Sequence, residues 1–565
     1  MKTPVPQAAN MPSSKPTRVP VLIVGGGIVG LSASLFLSHQ GIQSLLLERH
    51  SGTSIHPRAR SVNARTMEIY RGIGLSDLIR EAGASLSPSF GIYSGTSLRA
   101  VIEAKPRGER KKMPAFLGTL LELGPEKGAF GTQDMTEPVL LKAARDRGGD
   151  LRFHMECLGV EQDEERVTAR LRDRGSGDVV TVTADYLIAA DGANSPIRSQ
   201  LGVSTSGRGT MGHLLNILFH ADLKPLVEKR EFSICVIDNP EVAGLFTSIN
   251  NSDRWVFHLS FDPSRGEKPE DFPPERCKVL LRLALGIPDV EIDVISILPW
   301  EPSVRVATRL QHGRIFLAGD AAHQMPPYGG QGANSGISDA HNLSWKLAAV
   351  LKHQAGPKLL ETYDVERQPV GKAAAEASEA GADERGLISV KANWSTAAGW
   401  AKKLPLVGGF GYVYPRESTA VVEESTWPLG GVTWKAWSVP SLFLSLDGRP
   451  GSRAPHLWVE KEGKRISTTD LFGKGFTVLA GSQGIAWVEA SRKVEKSKGM
   501  QLAGYCVGPK GDIVDTEGKW ENAAGISSSG ALLVRPDGFV AWRQRRMPAD
   551  VQNMLDETLR GILCL

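Results

Sequence analysis

The stretch VPVLIVGGGIVGLSASLFL, residues 19–37, decides the fold. Val19 to Val24 is a short apolar run of the kind that forms a buried parallel strand. Glycines follow at once, and Leu31 and Leu35 continue with helical spacing until Gly41 closes the segment. Leu45–Leu46–Leu47 reads as a second strand, ending at Glu48. The result is a βαβ unit built around Gly25, Gly27 and Gly30 in the pattern GxGxxG. Gly25 permits a tight turn, Gly27 lets the backbone approach a pyrophosphate, and Gly30 allows close helix–sheet packing. The phosphates then lie at the positive helix N-terminus, and a carboxylate at Glu48 accepts hydrogen bonds from ribose hydroxyls. This pattern reads as dinucleotide binding and does not separate NAD from FAD.

Outside this unit, composition narrows the function. The chain has 565 residues, a length suited to about three to four domains. Hydrophobic residues make up 41%, enough for sizeable cores, and the net charge is only +4. No basic block interleaves with aromatics, which argues against a nucleic-acid partner. Cys157, Cys235, Cys277, Cys506 and Cys564 form no CxxC pair and no ligand spacing with histidine, so no metal site is expected. Lys2, Lys15 and Arg18 before the apolar stretch superficially resemble an export signal, but the glycines interrupt it. The expectation is a cytoplasmic protein without a membrane span, with residues 1–18, rich in Pro, Ser and Thr, as a disordered tail.

Farther along, Thr132 to Arg147 reads as a helix with Pro138 early in it. Tyr186–Ala190 and Arg314–Ala318 are apolar strands, each running into an acidic–glycine pair. Between them, residues 203–305 alternate short β-like runs with few helical signals, suggesting a β-rich second domain. Asn334 to Leu351 is an amphipathic helix. Residues 382–440 read as a linker and 441–565 as a mixed α/β domain, with a turn at Pro536–Asp537–Gly538.

The acidic–glycine pairs separate the cofactors. Asp191–Gly192–Ala193–Asn194–Ser195–Pro196–Ile197–Arg198 resembles the DGxxSxxR motif, and Gly319–Asp320 the GD motif, of class A flavoprotein monooxygenases. That family includes phenol, p-hydroxybenzoate and polyketide hydroxylases, and the resemblance covers about residues 19–380. It implies an α/β protein with a Rossmann-type FAD-binding domain over 19–202 and 306–381, interleaved with a substrate domain over 203–305. Gly451–His456 and Arg535–Trp542 resemble the thioredoxin-like tail of the phenol hydroxylase branch, a packing or dimerisation module in a homodimer.

The resemblance also implies roles. Asp320 would hold the ribityl chain, and the loop Pro326–Asn334, including Gly332 and Ala333, would lie beside the flavin ring. Arg60, with Arg58 behind it, would contact the FAD diphosphate; Gln133 and Asp191 would also hold FAD, and Arg198 would lie near the pyrophosphate and incoming nicotinamide. His323 reads as structural, and Trp300 as a pocket candidate that a core role fits better. The expected cofactors are FAD and NADPH, the latter without a second nucleotide fold, and the expected partners are an aromatic small molecule and O2. The implied reaction is hydroxylation of a phenolic or polycyclic, polyketide-like ring through a flavin C4a-hydroperoxide, with no universal catalytic side chain. Alternatives on the same fold are a dehydrogenase or reductase, an epoxidase, and a non-catalytic FAD-binding interaction protein.

Overall fold

The βαβ unit forms where the glycines predict it. In the computed structural model, which describes residues 17–86, 91–105, 123–388, 409, 411–415, 417–422 and 446–565, the strand Thr17–Val24 runs parallel to Ser44–Glu48. The helix Ile28–His39 joins them and buries Leu31, Leu35 and Phe36. Residues 1–16 of the expected tail and most of the expected linker lie outside the described residues.

On its other side Thr17–Val24 pairs in parallel with Val179–Ala189, which pairs in parallel with Ile315–Leu317. Asp150–Phe153 extends the far side of the sheet. Val24 stands opposite Ala189, and Ala189 opposite Leu317. The three motif-bearing strands are therefore neighbours whose carboxyl ends share one level, so the glycine turn and both acidic–glycine turns emerge together at one sheet edge. The helices Gln133–Asp146 and Gln331–Leu351 pack beside Ile28–His39.

A six-stranded sheet forms the second layer. Its order is Asp293–Trp300, His213–His220, Arg254–Phe261, Val242–Ser248, Ile234–Asn239 and Ile92–Gly95. The last strand comes from well upstream and is parallel to its neighbour, and the following helix Leu98–Glu103 adds Leu98, Val101 and Ile102 to the same core. This layer thus draws on chain outside 203–305. The 203–305 stretch also holds a helix, Pro274–Leu285, where few helical signals were expected. Proline occupies its first turn, Gly286 ends it in the left-handed region at φ 72°, and Cys277, Leu281, Ala284 and Leu285 are buried on one face.

The C-terminal unit is a seven-stranded mixed sheet, with Phe476–Ala480 parallel to Leu502–Gly508 and antiparallel to Ala531–Val534. The helices Ile485–Lys498 and Val551–Ile562 bury Trp487, Val494, Leu555 and Leu559 in one core with it. It docks through buried charges. Glu366 accepts from Arg535 Nη1 at 2.6 Å, Lys346 Nζ at 2.8 Å, Asn342 Nδ2 at 2.7 Å and Ser418 Oγ at 2.6 Å. Arg535 also pairs with Asp537 and lies over the rings of Trp345 and Tyr414. Pro536–Asp537–Gly538 is thus a turn, with Gly538 at φ 80°, but a buried one. Burial alone would raise the Glu366 carboxyl; Arg535 and Lys346 hold it far below its ordinary value. Arg453 and Arg65 meet Glu68 in a second buried group, and Arg71 reaches Asp470.

Among the described residues no helix is long and apolar enough to cross a membrane. Arg535→Met strands Glu366 and Asp537 in the interior without their guanidinium. It should cost about 3–5 kcal/mol, read as a lower urea midpoint for the C-terminal unit; an unchanged midpoint would contradict the docking role.

Candidate functional site

Two of the three motif glycines admit no side chain. Gly25 has φ 109°, and a Cβ there would sit 2.1 Å from the carbonyl oxygen of Ala190. At Gly30 a Cβ would lie 1.8 Å from the Gly25 oxygen. Gly27 differs, because the nearest atom to its absent Cβ is Glu137 Oε1 at 3.6 Å. Gly27 offers the helix Ile28–His39 no side-chain cap; Glu137 takes the Ile28 N–H, and the N–H groups that follow face that space. Glu48 lies beside the turn, where Oε2 accepts from the Gly26 N–H at 2.7 Å and Oε1 from the His50 N–H at 2.9 Å.

Sequence reasoning missed Glu137, although it follows Gln133 at helical i,i+4 spacing. Its carboxylate accepts from Gln133 Nε2 at 2.6 Å and from the Ser54 N–H at 2.8 Å. Gln133 itself donates its backbone N–H to the Arg58 oxygen at 2.7 Å. Burial raises the Glu137 carboxyl above its ordinary value, against the hydrogen bonds from Gln133, Ser54 and Ile28.

Arg198 ties the two acidic–glycine turns together. It donates to the Ala321 oxygen at 3.0 Å and to the Ala193 oxygen at 2.8 Å. Asp191 Oδ2 accepts from the Ile197 N–H at 3.3 Å, while Oδ1 is buried without a partner. Gly319 adopts φ 61° at the start of the second turn, and Val29 and Gly336 crowd its Cα. The Asp320 carboxylate makes no hydrogen bond to any described residue. A Cβ on Gly332 would lie 3.9 Å from its Oδ1, which places the carboxylate at the uncapped start of Gln331–Leu351, next to Gly332 and Ala333. Although Asp320 is accessible, the protein around it raises its carboxyl, while His323, Arg58 and Arg198 pull it down. His323 is fully buried and bound through Nε2 to Asp339 at 2.7 Å, a structural pin.

The loop Ser54–Arg60 crosses from the first layer to the second. Arg60 donates to Ser233 Oγ at 3.0 Å and lies over the Phe130 ring, so its guanidinium is engaged with the second layer. Arg58 is exposed and within charge range of Asp320, His56 and His258. Across from it, the six-stranded sheet presents Asn216, Thr247, His258 and Trp300, with Trp300 half-buried against the His258 ring at a centroid distance of 6.2 Å.

These features fit an FAD molecule on structural grounds. The first turn of Ile28–His39, beyond the Ile28 N–H that Glu137 takes, matches phosphate, the uncapped start of Gln331–Leu351 matches a ring that gathers negative charge, and the unpartnered carboxylate of Asp320 matches polyol hydroxyls. Comparison with known proteins agrees. Residues 18–378 match the model of the FAD binding domain, and residues 447–563 that of the aromatic-ring hydroxylase C-terminal domain. The chain belongs to the FAD-dependent aromatic-ring hydroxylase family. It is 39% identical over 562 residues to tetracenomycin A2 monooxygenase-dioxygenase of Streptomyces glaucescens, covering 96% of this chain and 97% of that one. It is 37% identical over 551 residues to an aklavinone 12-hydroxylase of Streptomyces purpurascens, covering 96% and 99%. The crystal structure of a ternary complex of aklavinone-11 hydroxylase with FAD and aklavinone superimposes with a TM-score of 0.84 at 36% identity, covering 98% of this chain and all of that one.

Glu137 offers a pH test. Because its carboxyl is raised, the folded state tolerates the charged form less well than the unfolded chain does. That cost is absent below the ordinary carboxylate range and grows as pH rises. Glu137→Gln should therefore melt above the parent at about pH 8 and with it at about pH 4. A variant that melts below the parent at pH 8 would refute this account.

Proposed function

We propose that the protein hydroxylates a phenolic, polycyclic aromatic substrate of polyketide type, with FAD as cofactor, NADPH as reductant and O2 as oxidant. The observation that carries this reading is the unpartnered carboxylate of Asp320 at an open helix N-terminus, with Arg58 within charge range of both it and the polar centre of an otherwise apolar sheet face. The relatives named above are by name a tetracenomycin A2 monooxygenase-dioxygenase and hydroxylases of aklavinone, and this chain matches them over nearly its whole length.

Gly25 and Gly30 hold the turn, and Gly27 and the first-turn N–H groups of Ile28–His39 beyond that of Ile28 receive the diphosphate. Glu48 takes the ribose hydroxyls, and Asp320 takes the ribityl hydroxyls, each hydrogen bond to the charged group contributing about 1.5–3 kcal/mol. Gln133 and Asp191 border the cofactor, and Arg60 fixes the loop over it while Arg58 supplies positive charge beside it. The backbone N–H groups of Gly332 and Ala333 approach the ring, and the positive end of Gln331–Leu351 favours negative charge there. When bound, FAD supplies the activation of oxygen, which no side chain could provide. Leu214, Val236, Leu245 and Leu387 exclude water on the substrate side. The reaction runs in the cytoplasm, and the C-terminal unit serves packing or homodimer formation.

Incubation with isotopically labelled dioxygen and a polycyclic phenol should place one labelled atom in the product as a ring hydroxyl. A product without label would favour a dehydrogenase, and a labelled epoxide would redirect the assignment. Asp320→Ala should weaken FAD binding by roughly ten- to a hundredfold with little change in fold, measured by flavin retention on dilution; a variant as yellow as the parent would remove Asp320 from the site.

A further inference from the structure

Strand alternation divides the six-stranded sheet into two faces. Leu215, Ile217, Phe219, Trp255, Phe257 and Leu259 point to one side and form a closed apolar core. Asn216 and His258 point to the other, and the register pairs them directly across neighbouring strands. Thr247, on the next strand, completes a chain of contacts: Asn216 Oδ1 meets His258 Nδ1, and His258 Nε2 meets Thr247 Oγ1 at 3.2 Å. With Oδ1 as acceptor, Nδ1 carries the proton and Nε2 accepts from the threonine hydroxyl. Burial, with the charges of His56 and Arg58, pushes His258 down to about 3, so the ring stays neutral. The chain thus holds the Asn216 amide in one orientation.

That face lacks partners for its polar groups. Asn216 is 4% exposed, yet its amide N–H2 makes no hydrogen bond to any described residue. On the same face the hydroxyls of Ser260 and Ser296 are buried without partners among the described residues. Buried polar groups are rarely left unpaired, and the two serine hydroxyls on the strands flanking the open Asn216 amide, on a face with Leu214, Leu245 and Trp300, mark the seat of an oxygen-bearing ligand. Arg58 lies within charge range of both His258 and Asp320, so one exposed side chain links this seat to the Asp320 turn.

We propose that Asn216 is a specificity-determining residue whose amide donates to a carbonyl-type oxygen of the polycyclic substrate, with His258 and Thr247 as its positioning residues. This rests on the hydroxylase reading above and refines its substrate class to ring systems carrying a quinone or ketone oxygen. A ring without that oxygen leaves the amide unpaired, and such a penalty discriminates more strongly than a missing methylene does.

The test compares two three-ring probes of similar shape, 1,5-dihydroxyanthraquinone and 1-hydroxyanthracene, by perturbation of flavin absorbance in the FAD-loaded enzyme. Asn216→Leu, alike in branching and without a donor, should weaken the quinone about tenfold or more and leave the anthracene within about twofold. In turnover the loss should fall on KM more than on kcat. Should Asn216→Leu lose its flavin, His258→Phe and Thr247→Val release the amide from its anchors without replacing it, and the same selective loss is expected. Equal loss for both probes, or for neither, in flavin-loaded variants overturns the assignment while the hydroxylase reading stands. If the parent enzyme binds neither probe and consumes no NADPH with any polycyclic phenol, both fall together.

Discussion

The helix Gln331–Leu351 carries charges that have no access to water, and their neutralisation gives it a single seat. Asp339 meets His323 and Arg367, and Lys346 meets Glu366, all fully buried. Moving the helix would separate these pairs in a low-dielectric interior, at several kcal/mol for each broken pair. Its first turn stands beside Asp320, its Asn342 reaches Asp537 of the C-terminal unit, and its Lys346 shares Glu366, on the helix Glu361–Glu379, with Arg535 of that unit. Gly336 lets the helix close on Gly319, where a Cβ would come within 2.9 Å of the Gly319 Cα. The geometry of the Gly319–Asp320 turn is therefore set from behind, by buried ion pairs along that helix.

This arrangement separates two tasks. The carboxyl edge of the parallel sheet gathers backbone N–H groups and carboxylates, a composition suited to phosphates and polyols whatever the substrate. The mostly antiparallel second sheet offers a mostly aliphatic face with a small polar centre. The loop Ser54–Arg60 bridges them, with Arg60 on Ser233 of one layer and the Arg58 carbonyl on Gln133 of the other.

The cofactor half was legible because its signals are local. Gly25, Gly27 and Gly30 sit within one strand–turn–helix, and Asp191 and Asp320 each close an apolar run, so each motif could be read within a few residues. The register then placed all three at one level, which no local pattern states. What escaped depends on distant partners. Ile92–Gly95 has four residues and becomes a strand only by pairing with Ile234–Asn239. Pro274–Leu285 has helical spacing and a proline start, but short β-like runs surround it. Asp537 read as a turn residue, and only the packing reveals it as a buried counter-ion. Asn216 and His258 lie in unremarkable alternating strands, and their relation exists only across the ladder.

The strand Ile92–Gly95 has a further consequence for engineering. The six-stranded sheet is stitched from two separate lengths of chain, one inserted between helices of the nucleotide-binding layer. A recognition lobe borrowed from a relative cannot be transplanted as one contiguous cassette, since its outermost ladder would then be knitted from mismatched parents. Chimeras that exchange both lengths together preserve that seam, and recombination breakpoints between them should be purged from any shuffled library.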